Sequence, residues 1–280
     1  MGADCGDRGG VTAPLTYRLS HALLHLPAAW GAAAPVLLVH GGYHGASCWD
    51  EWRTVLSGLG LPSAALDLRG HGALAEASLS PTTGVADYAA DVGEAVSALR
   101  EMTGQTPVLV GHSLGALVVL AATAANVPST GLALLAPSPP GNLPGVAAVP
   151  EVPEGQLLPS PVEAVATARW MGGQTPPSPL REQWLAGLCP ESPRALNDRY
   201  TLRIQVEPEA LKGLPVLVME AGRDDAERHP AGQDAAIAAF LGGEHLLLAE
   251  APHCLMFGDP GREAALWLAD WMARIGVAPT

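Results

Sequence analysis

Lysine is almost missing from this chain. Lys212 is the only one in 280 residues, and Lys and Arg together reach 15 against 28 Asp and Glu, a net charge of −13 with His neutral. No stretch concentrates positive charge, so a phosphate backbone would be repelled and no nucleic-acid partner is expected. The same balance weighs, more weakly, against strongly anionic substrates. Cysteine is scarce too. Cys5, Cys48, Cys189 and Cys254 form no C-x-x-C and no close pair, which argues against a disulfide framework or a zinc site and for a reducing cytoplasm. Long apolar runs are absent: the longest, residues 114–122, is far too short to cross a bilayer. Residues 1–12 lack the basic-then-apolar order of a secretory signal, so the expectation is a soluble cytoplasmic chain with no membrane partner. Charged residues make up only 15% against 48% apolar, which excludes a disordered chain and leaves ample material for a buried core.

What the chain has is a rhythm. Short apolar runs suited to buried strands alternate with helical patterns, the mark of an α/β fold with a mostly parallel sheet covered on both faces. Residues 17–26 offer an early alternating strand. Val36-Leu37-Leu38-Val39, residues 63–68, Val108-Leu109-Val110, Leu132-Ala133-Leu134-Leu135, Val216-Leu217-Val218-Met219 and His245-Leu246-Leu247-Leu248 follow. Val85, Tyr88, Val92, Val96 and Leu99 recur at helical spacing, and Ala264, Trp267, Leu268, Trp271 and Ile275 predict a late helix that covers the sheet.

Residues 139–212 break this rhythm, with 13 of the 26 prolines in 74 of 280 residues. Such density prevents long regular elements but leaves room for short helices over 161–171 and 181–188. Trp170, Met171, Trp184 and Leu185 need something to pack on, so the segment reads as a mainly helical, Pro-rich cap inserted between two strands. The core is then 1–138 and 213–280, with 1–14 a flexible tail.

Gly111-His112-Ser113-Leu114-Gly115 fits G-x-S-x-G, a weak pattern by itself in a chain with 32 glycines. Its place gives it weight. A strand run ends at Gly111 and a helix-forming segment, 114–125, starts directly after. Such a turn would expose the Ser113 hydroxyl beside a helix N-terminus, where developing negative charge is favoured. A serine hydroxyl needs a base, and His253, just after the last strand run, has the right position. His245 lies inside that run and reads as a buried structural histidine; His229 sits in a polar loop with no strand end to fix it. The imidazole needs an orienting carboxylate, and Asp224 and Asp225 both follow the strand at 216–219, with spacing alone leaving the two open. For an oxyanion, the Leu114 N–H opens the helix, and the loop His40-Gly41-Gly42-Tyr43-His44-Gly45 is the place for a second donor. A phosphate cradle fails on detail, since neither G-x-G-x-x-G nor G-K-[ST] occurs.

With these residues in view the chain resembles the α/β-hydrolases. Val39-His40-Gly41-Gly42, Asp67-Leu68-Arg69-Gly70-His71-Gly72, the Ser113 pentapeptide, Gly222-x-x-Asp225 and Pro252-His253 fall in that family's order and spacing. The resemblance spans 15–138 and 213–276. It implies a Ser113–His253–Asp225 triad, the family's acid standing three residues after the Gly, and an oxyanion hole from the Gly42 and Leu114 N–H groups. Asp67 and Arg69 are common in the family and are expected to stabilise loops. The stretch from Val39 to Trp49 is similar to the H-G-x-x-H-G-x-x-x-W loop of plant methyl esterases and hydroxynitrile lyases. Cys254 and Gly41 stand where those lyases carry Lys and Thr, so the esterase is the nearer kin.

The resemblance implies hydrolysis of a carboxylic ester or lactone of a small to medium apolar substrate, with no metal or organic cofactor. Alternatives on the same scaffold are C–C bond or thioester hydrolysis, cofactor-free oxygenation or peroxidation, and ligand reception. The cap is expected to supply the substrate pocket through Trp170, Met171 and Trp184, with Tyr43 and His44 from the oxyanion loop.

Overall fold

The computed structural model of the protein describes residues 15–75, 79–173 and 178–278, so the expected tail at 1–14 lies outside the described residues. Strands β1 (Thr16–Arg18) and β2 (Leu23–His25) form an antiparallel hairpin where one strand was expected over 17–26. Six further strands follow: β3 (Val36–Val39), β4 (Ser63–Asp67), β5 (Val108–His112), β6 (Gly131–Leu135), β7 (Val216–Ala221) and β8 (Glu244–Leu248). They complete one sheet in the order β1-β2-β4-β3-β5-β6-β7-β8, in which β2 pairs antiparallel with β4 and every later pairing is parallel.

The continuous apolar runs follow from burial on both faces. Leu37, Val39, Leu109, Leu132, Leu134, Val216 and Val218 face one core; Val36, Leu38, Val108, Val110, Ala133, Leu135, Leu217 and Met219 face the other. A period of two sends alternate side chains to opposite layers, so both must be apolar. Helices α2 (Val85–Thr103), α3 (Leu114–Ala124) and α7 (Gln233–Leu241) cover the first face. Helices α1 (Asp50–Gly58) and α8 (Gly258–Arg274) cover the second.

Among the described residues three α-helices lie between β6 and β7: α4 (Glu163–Trp170), α5 (Ser178–Ala186) and α6 (Pro193–Tyr200). Ala166, Met171 and Trp184 join the α1/α8 core, whereas Ala195, Leu196 and Tyr200 join the α2/α3 core. This one segment therefore bridges both hydrophobic layers at the sheet edge. Pro193 hides α6 in the sequence; it occupies the first helical turn, where the missing N–H costs nothing.

Two apolar expectations fail at the margins. Trp267 is 41% exposed, since it sits about 70° from the centre of the Ala264–Leu268–Trp271 stripe at 100° per residue. β8 is an edge strand with Leu247 51% exposed, and His245 is not buried but exposed, its Nε2 2.7 Å from Glu220. Among the described residues no helix is long and apolar enough to cross a membrane.

The chain passes from β3 to β4 on one side, then returns to β5 on the other side of β3. Where strand order reverses, the loops at the carboxyl ends part and leave a crevice. The loops after β3, β5, β7 and β8 open there, and they carry the residues singled out above.

Candidate active site

Ser113 sits between β5 and α3 with φ 52° and ψ −118°, a conformation that L side chains rarely adopt. Its N–H donates to the Leu135 carbonyl at 2.9 Å, and its own carbonyl accepts from Ala116 and Ser138, each at 3.1 Å. The flanking glycines are steric necessities. A Cβ on Gly111 would lie 2.5 Å from the Gly115 oxygen, and one on Gly115 would lie 2.2 Å from the His40 oxygen. G-x-S-x-G is thus the sequence trace of three backbone segments crossing at contact distance.

His253 is 5% exposed, and its Nδ1 lies 2.6 Å from Asp224 Oδ2. The carboxylate against the imidazole is that of Asp224 and not that of Asp225, to which the family spacing pointed. The reason is turn geometry. Asp224 N–H closes a turn onto the Ala221 carbonyl at 3.2 Å, and Arg223 N–H donates to Ala251 at 2.9 Å, which draws this turn against the His253 loop. One residue later the chain has turned away: Asp225 Oδ1 accepts from Glu227 N–H at 3.0 Å, and its Oδ2 lies 3.9 Å from Arg228 Nε. Burial pushes the Asp224 carboxyl up, but the charge and hydrogen bond of His253, aided by His229 and the Asp225 N–H, bring it below the usual range. It stays ionised at neutral pH.

Two further histidines surround this pair. His112 is buried, and its Nε2 lies 2.9 Å from the His253 carbonyl. A carbonyl only accepts, so Nε2 carries the proton and braces the His253 backbone. Burial, with like-charge repulsion from His253, holds His112 well below the ordinary imidazole value, so it is neutral. His229, set aside by sequence reasoning, has its ring centroid 4.8 Å from that of His253 with the planes tilted by 51°, and its Nδ1 lies 3.8 Å from Asp224 Oδ2. The turn that puts it there, with His229 N–H on the Asp225 carbonyl at 2.8 Å, has no signal in the sequence. Asp224, His229 and His253 offer three donor atoms within 4.8 Å of one another. A cation there would have to break the 2.6 Å contact that orients His253, so the set suits orienting an imidazole better than holding a metal.

The loop after β3 is held on its carbonyl side. Leu68 N–H donates to His40 Nε2 at 3.3 Å, so the His40 proton is on Nδ1, which donates to the Gly41 carbonyl at 2.8 Å. In a trans peptide C=O and N–H point opposite ways, so this bond turns the Gly42 N–H away from His40. The next peptide is gripped at both ends. The Trp184 indole, which can only donate, reaches His44 Nε2 at 3.2 Å, leaving His44 Nδ1–H for the Gly42 carbonyl at 2.9 Å. Tyr43 N–H donates to Glu191 Oε2 at 3.2 Å. Cys189 N–H adds a bond to the Tyr43 carbonyl at 2.7 Å. Burial takes His44 down to about 4, so this donor stays neutral.

A cleft open to solvent is lined by Ser113, Asp224, His253, Gly42 and Leu114. Among the described residues neither the Gly42 nor the Leu114 N–H meets a protein acceptor. Tyr43 and Trp170 line this cleft. His44, Met171 and Trp184 do not; each is buried behind it, His44 and Trp184 occupied with one another. Asp67 and Arg69 hold loops: Asp67 accepts from Ala46 and Ala73 N–H groups at 2.6 and 3.1 Å, and Arg69 grips Asp91 at 2.6 Å.

A profile of the alpha/beta hydrolase family matches residues 36–266. The chain is 38% identical over 95 residues to Esterase Rv0045c of Mycobacterium tuberculosis, a match covering 32% of this chain and 28% of that protein. It is 36% identical over 83 residues to Methyl jasmonate esterase 1 of Vitis vinifera, covering 30% and 31% respectively. The chain thus spans under a third of the length of the curated relatives it matches. Among solved structures, the methylesterase MES16 from Arabidopsis superposes with a TM-score of 0.66 at 21% identity, over 86% of this chain and 99% of that one. With the sheet order, the strained serine turn and the late histidine in agreement, the chain belongs to the alpha/beta hydrolase family.

Proposed function

We propose that the protein is a serine hydrolase that cleaves a carboxylic ester or lactone of a small molecule through an acyl-enzyme. The observation that carries this reading is the strained Ser113 turn opening into the same cleft as the 2.6 Å His253–Asp224 pair. Ser113 Oγ attacks the ester carbonyl and its proton passes to His253 Nε2. Asp224 keeps the other imidazole proton on Nδ1 and stabilises the cation that forms. The tetrahedral oxyanion takes hydrogen bonds from the free Gly42 and Leu114 N–H groups. The carbon–oxygen bond breaks, His253 returns the proton to the departing alcohol, and water repeats the sequence to release the acid.

In this reading residues 139–212 are the cap over Ser113. Trp170 and Leu196 give the cleft apolar wall, and Glu191 and Trp184 reach beneath it to hold the oxyanion loop. A fluorophosphonate probe should label Ser113 and no other residue, as read by peptide mass mapping, and Ser113→Ala should not label. An adduct elsewhere would sink the mechanism.

A further inference from the structure

Three guanidinium groups share the cleft with Ser113. Arg169 lies in the last turn of α4, Arg199 in the last turn of α6, and Arg228 in the loop after β7. Among the described residues six arginines are at least partly buried: Arg53, Arg69, Arg169, Arg181, Arg199 and Arg228. Four of them have a carboxylate oxygen at 3.9 Å or closer. Arg169 and Arg199 do not, although the chain has 28 acids to 15 bases. Both of these line the one cleft that holds the serine.

The local balance is therefore the reverse of the global one. Arg199 donates to the Arg228 carbonyl at 3.1 Å, and Arg228 donates to the Tyr200 hydroxyl at 3.1 Å. Those neutral acceptors satisfy hydrogen bonds without cancelling charge. Asp224, hydrogen-bonded to His253, and Asp225, 3.9 Å from Arg228, set two negative charges against the three guanidiniums. Burial pulls the Arg199 guanidinium below its ordinary basicity and Arg169 adds like-charge repulsion, with the Asp224 charge acting in the opposite direction without reversing the shift. The helix C-termini beneath Arg169 and Arg199 offset only about half a charge each. An anion entering the cleft would relieve this repulsion and gain charge-assisted hydrogen bonds from planar forks that match its oxygens.

We propose that the substrate carries a carboxylate a few carbons from the scissile ester, seated on Arg169, Arg199 and Arg228 while Tyr43, Trp170 and Leu196 enclose the methylenes between. This deepens the ester-hydrolase reading and rests on it for the reaction, but not for the binding. Two matched pairs test the two sides of the ester. Monomethyl glutarate against methyl pentanoate places the anion on the acyl side; 4-acetoxybutanoate against butyl acetate places it on the alcohol side.

In at least one pair kcat/KM should favour the anion by about 10- to 100-fold, the span of a single charged hydrogen bond. Arg199→Gln and, on a separate helix, Arg169→Gln should each shrink that ratio. Calorimetry with glutarate against pentanoate supplies a readout that needs no turnover, and the dianion should bind at least about tenfold tighter. Neutral esters hydrolysed as well as anionic ones, with no preference for glutarate, would overturn the subsite and leave the esterase. Glutarate preferred with no ester cleaved would overturn the esterase and leave the subsite.

Discussion

Asp224→Asn should lower kcat about 10⁴-fold, the scale of loss when a serine–histidine pair is deprived of its orienting carboxylate. An amide at this position keeps the shape of the site but reverses what it offers to Nδ1. With its NH₂ toward His253, Asn would stabilise the tautomer whose proton sits on Nε2, and that nitrogen could no longer receive the Ser113 proton. The imidazolium formed during attack would also face a dipole where it now faces a charge. Asp225→Asn should stay within a few-fold of wild type. Its carboxylate caps the Glu227 N–H at 3.0 Å and lies 3.9 Å from Arg228, while the bond that steadies Asp224 comes from the Asp225 backbone. Steady-state kinetics on a chromogenic acetate ester decides the matter. Loss of activity in the Asp225 variant with retention in the Asp224 variant would show that the turn after β7 has another register in solution.

Why the sequence pointed one residue too far is a question of phase. Two adjacent acids differ by a single step along a tight turn, and only the Arg223-to-Ala251 bond to a neighbouring loop decides which faces inward. Ser113 and His253 carried no such ambiguity, because each is tied to the end of a strand whose apolar run is legible. The Gly111 and Gly115 requirement is likewise local, arising within five residues. The failures at the site are long-range. His44 read as a substrate contact because nothing near it announces that Trp184, 140 residues later, will occupy its Nε2. Glu191 escaped notice in a proline-rich stretch, yet its partners His71 and Tyr43 lie 120 and 148 residues upstream. Net charge is blind in the same way, since an average over the whole chain says nothing of three arginines gathered by two helices and a loop.

Glu191→Ala should cost about 3–5 kcal/mol of stability, the range for breaking a buried ion pair from one side, and lower Tm by roughly 10 °C. The carboxylate is 1% exposed and accepts from the Tyr88 hydroxyl at 2.6 Å, the Ser192 N–H at 2.8 Å, His71 Nε2 at 3.2 Å and the Tyr43 N–H at 3.2 Å. Burial opposes ionisation of both partners. For Glu191 it is outweighed by His71, Tyr88 and the Ser192 N–H, which bring the carboxyl below its ordinary value. For His71 it is outweighed by Glu191 and the Arg69 carbonyl, which bring the imidazole above its own. The signs then set a window. The Glu191 contribution is present above the unfolded carboxylate pKa and is lost as pH falls through the depressed folded value. The His71 contribution is present below the unfolded imidazole pKa and is lost as pH rises through the raised folded value. Wild-type stability relative to Glu191→Gln should therefore be greatest between the ordinary carboxylate and imidazole ranges and shrink on either side. Denaturant titrations across that span measure it. Because Glu191 also grips the peptide that follows Gly42, Glu191→Ala should depress kcat more than it raises KM, at a temperature where the variant is fully folded. Glu191→Gln, which keeps an acceptor for the Tyr43 N–H, should recover part of that kcat. A variant that loses stability yet keeps its kcat would show that the contact with the oxyanion loop is structural alone.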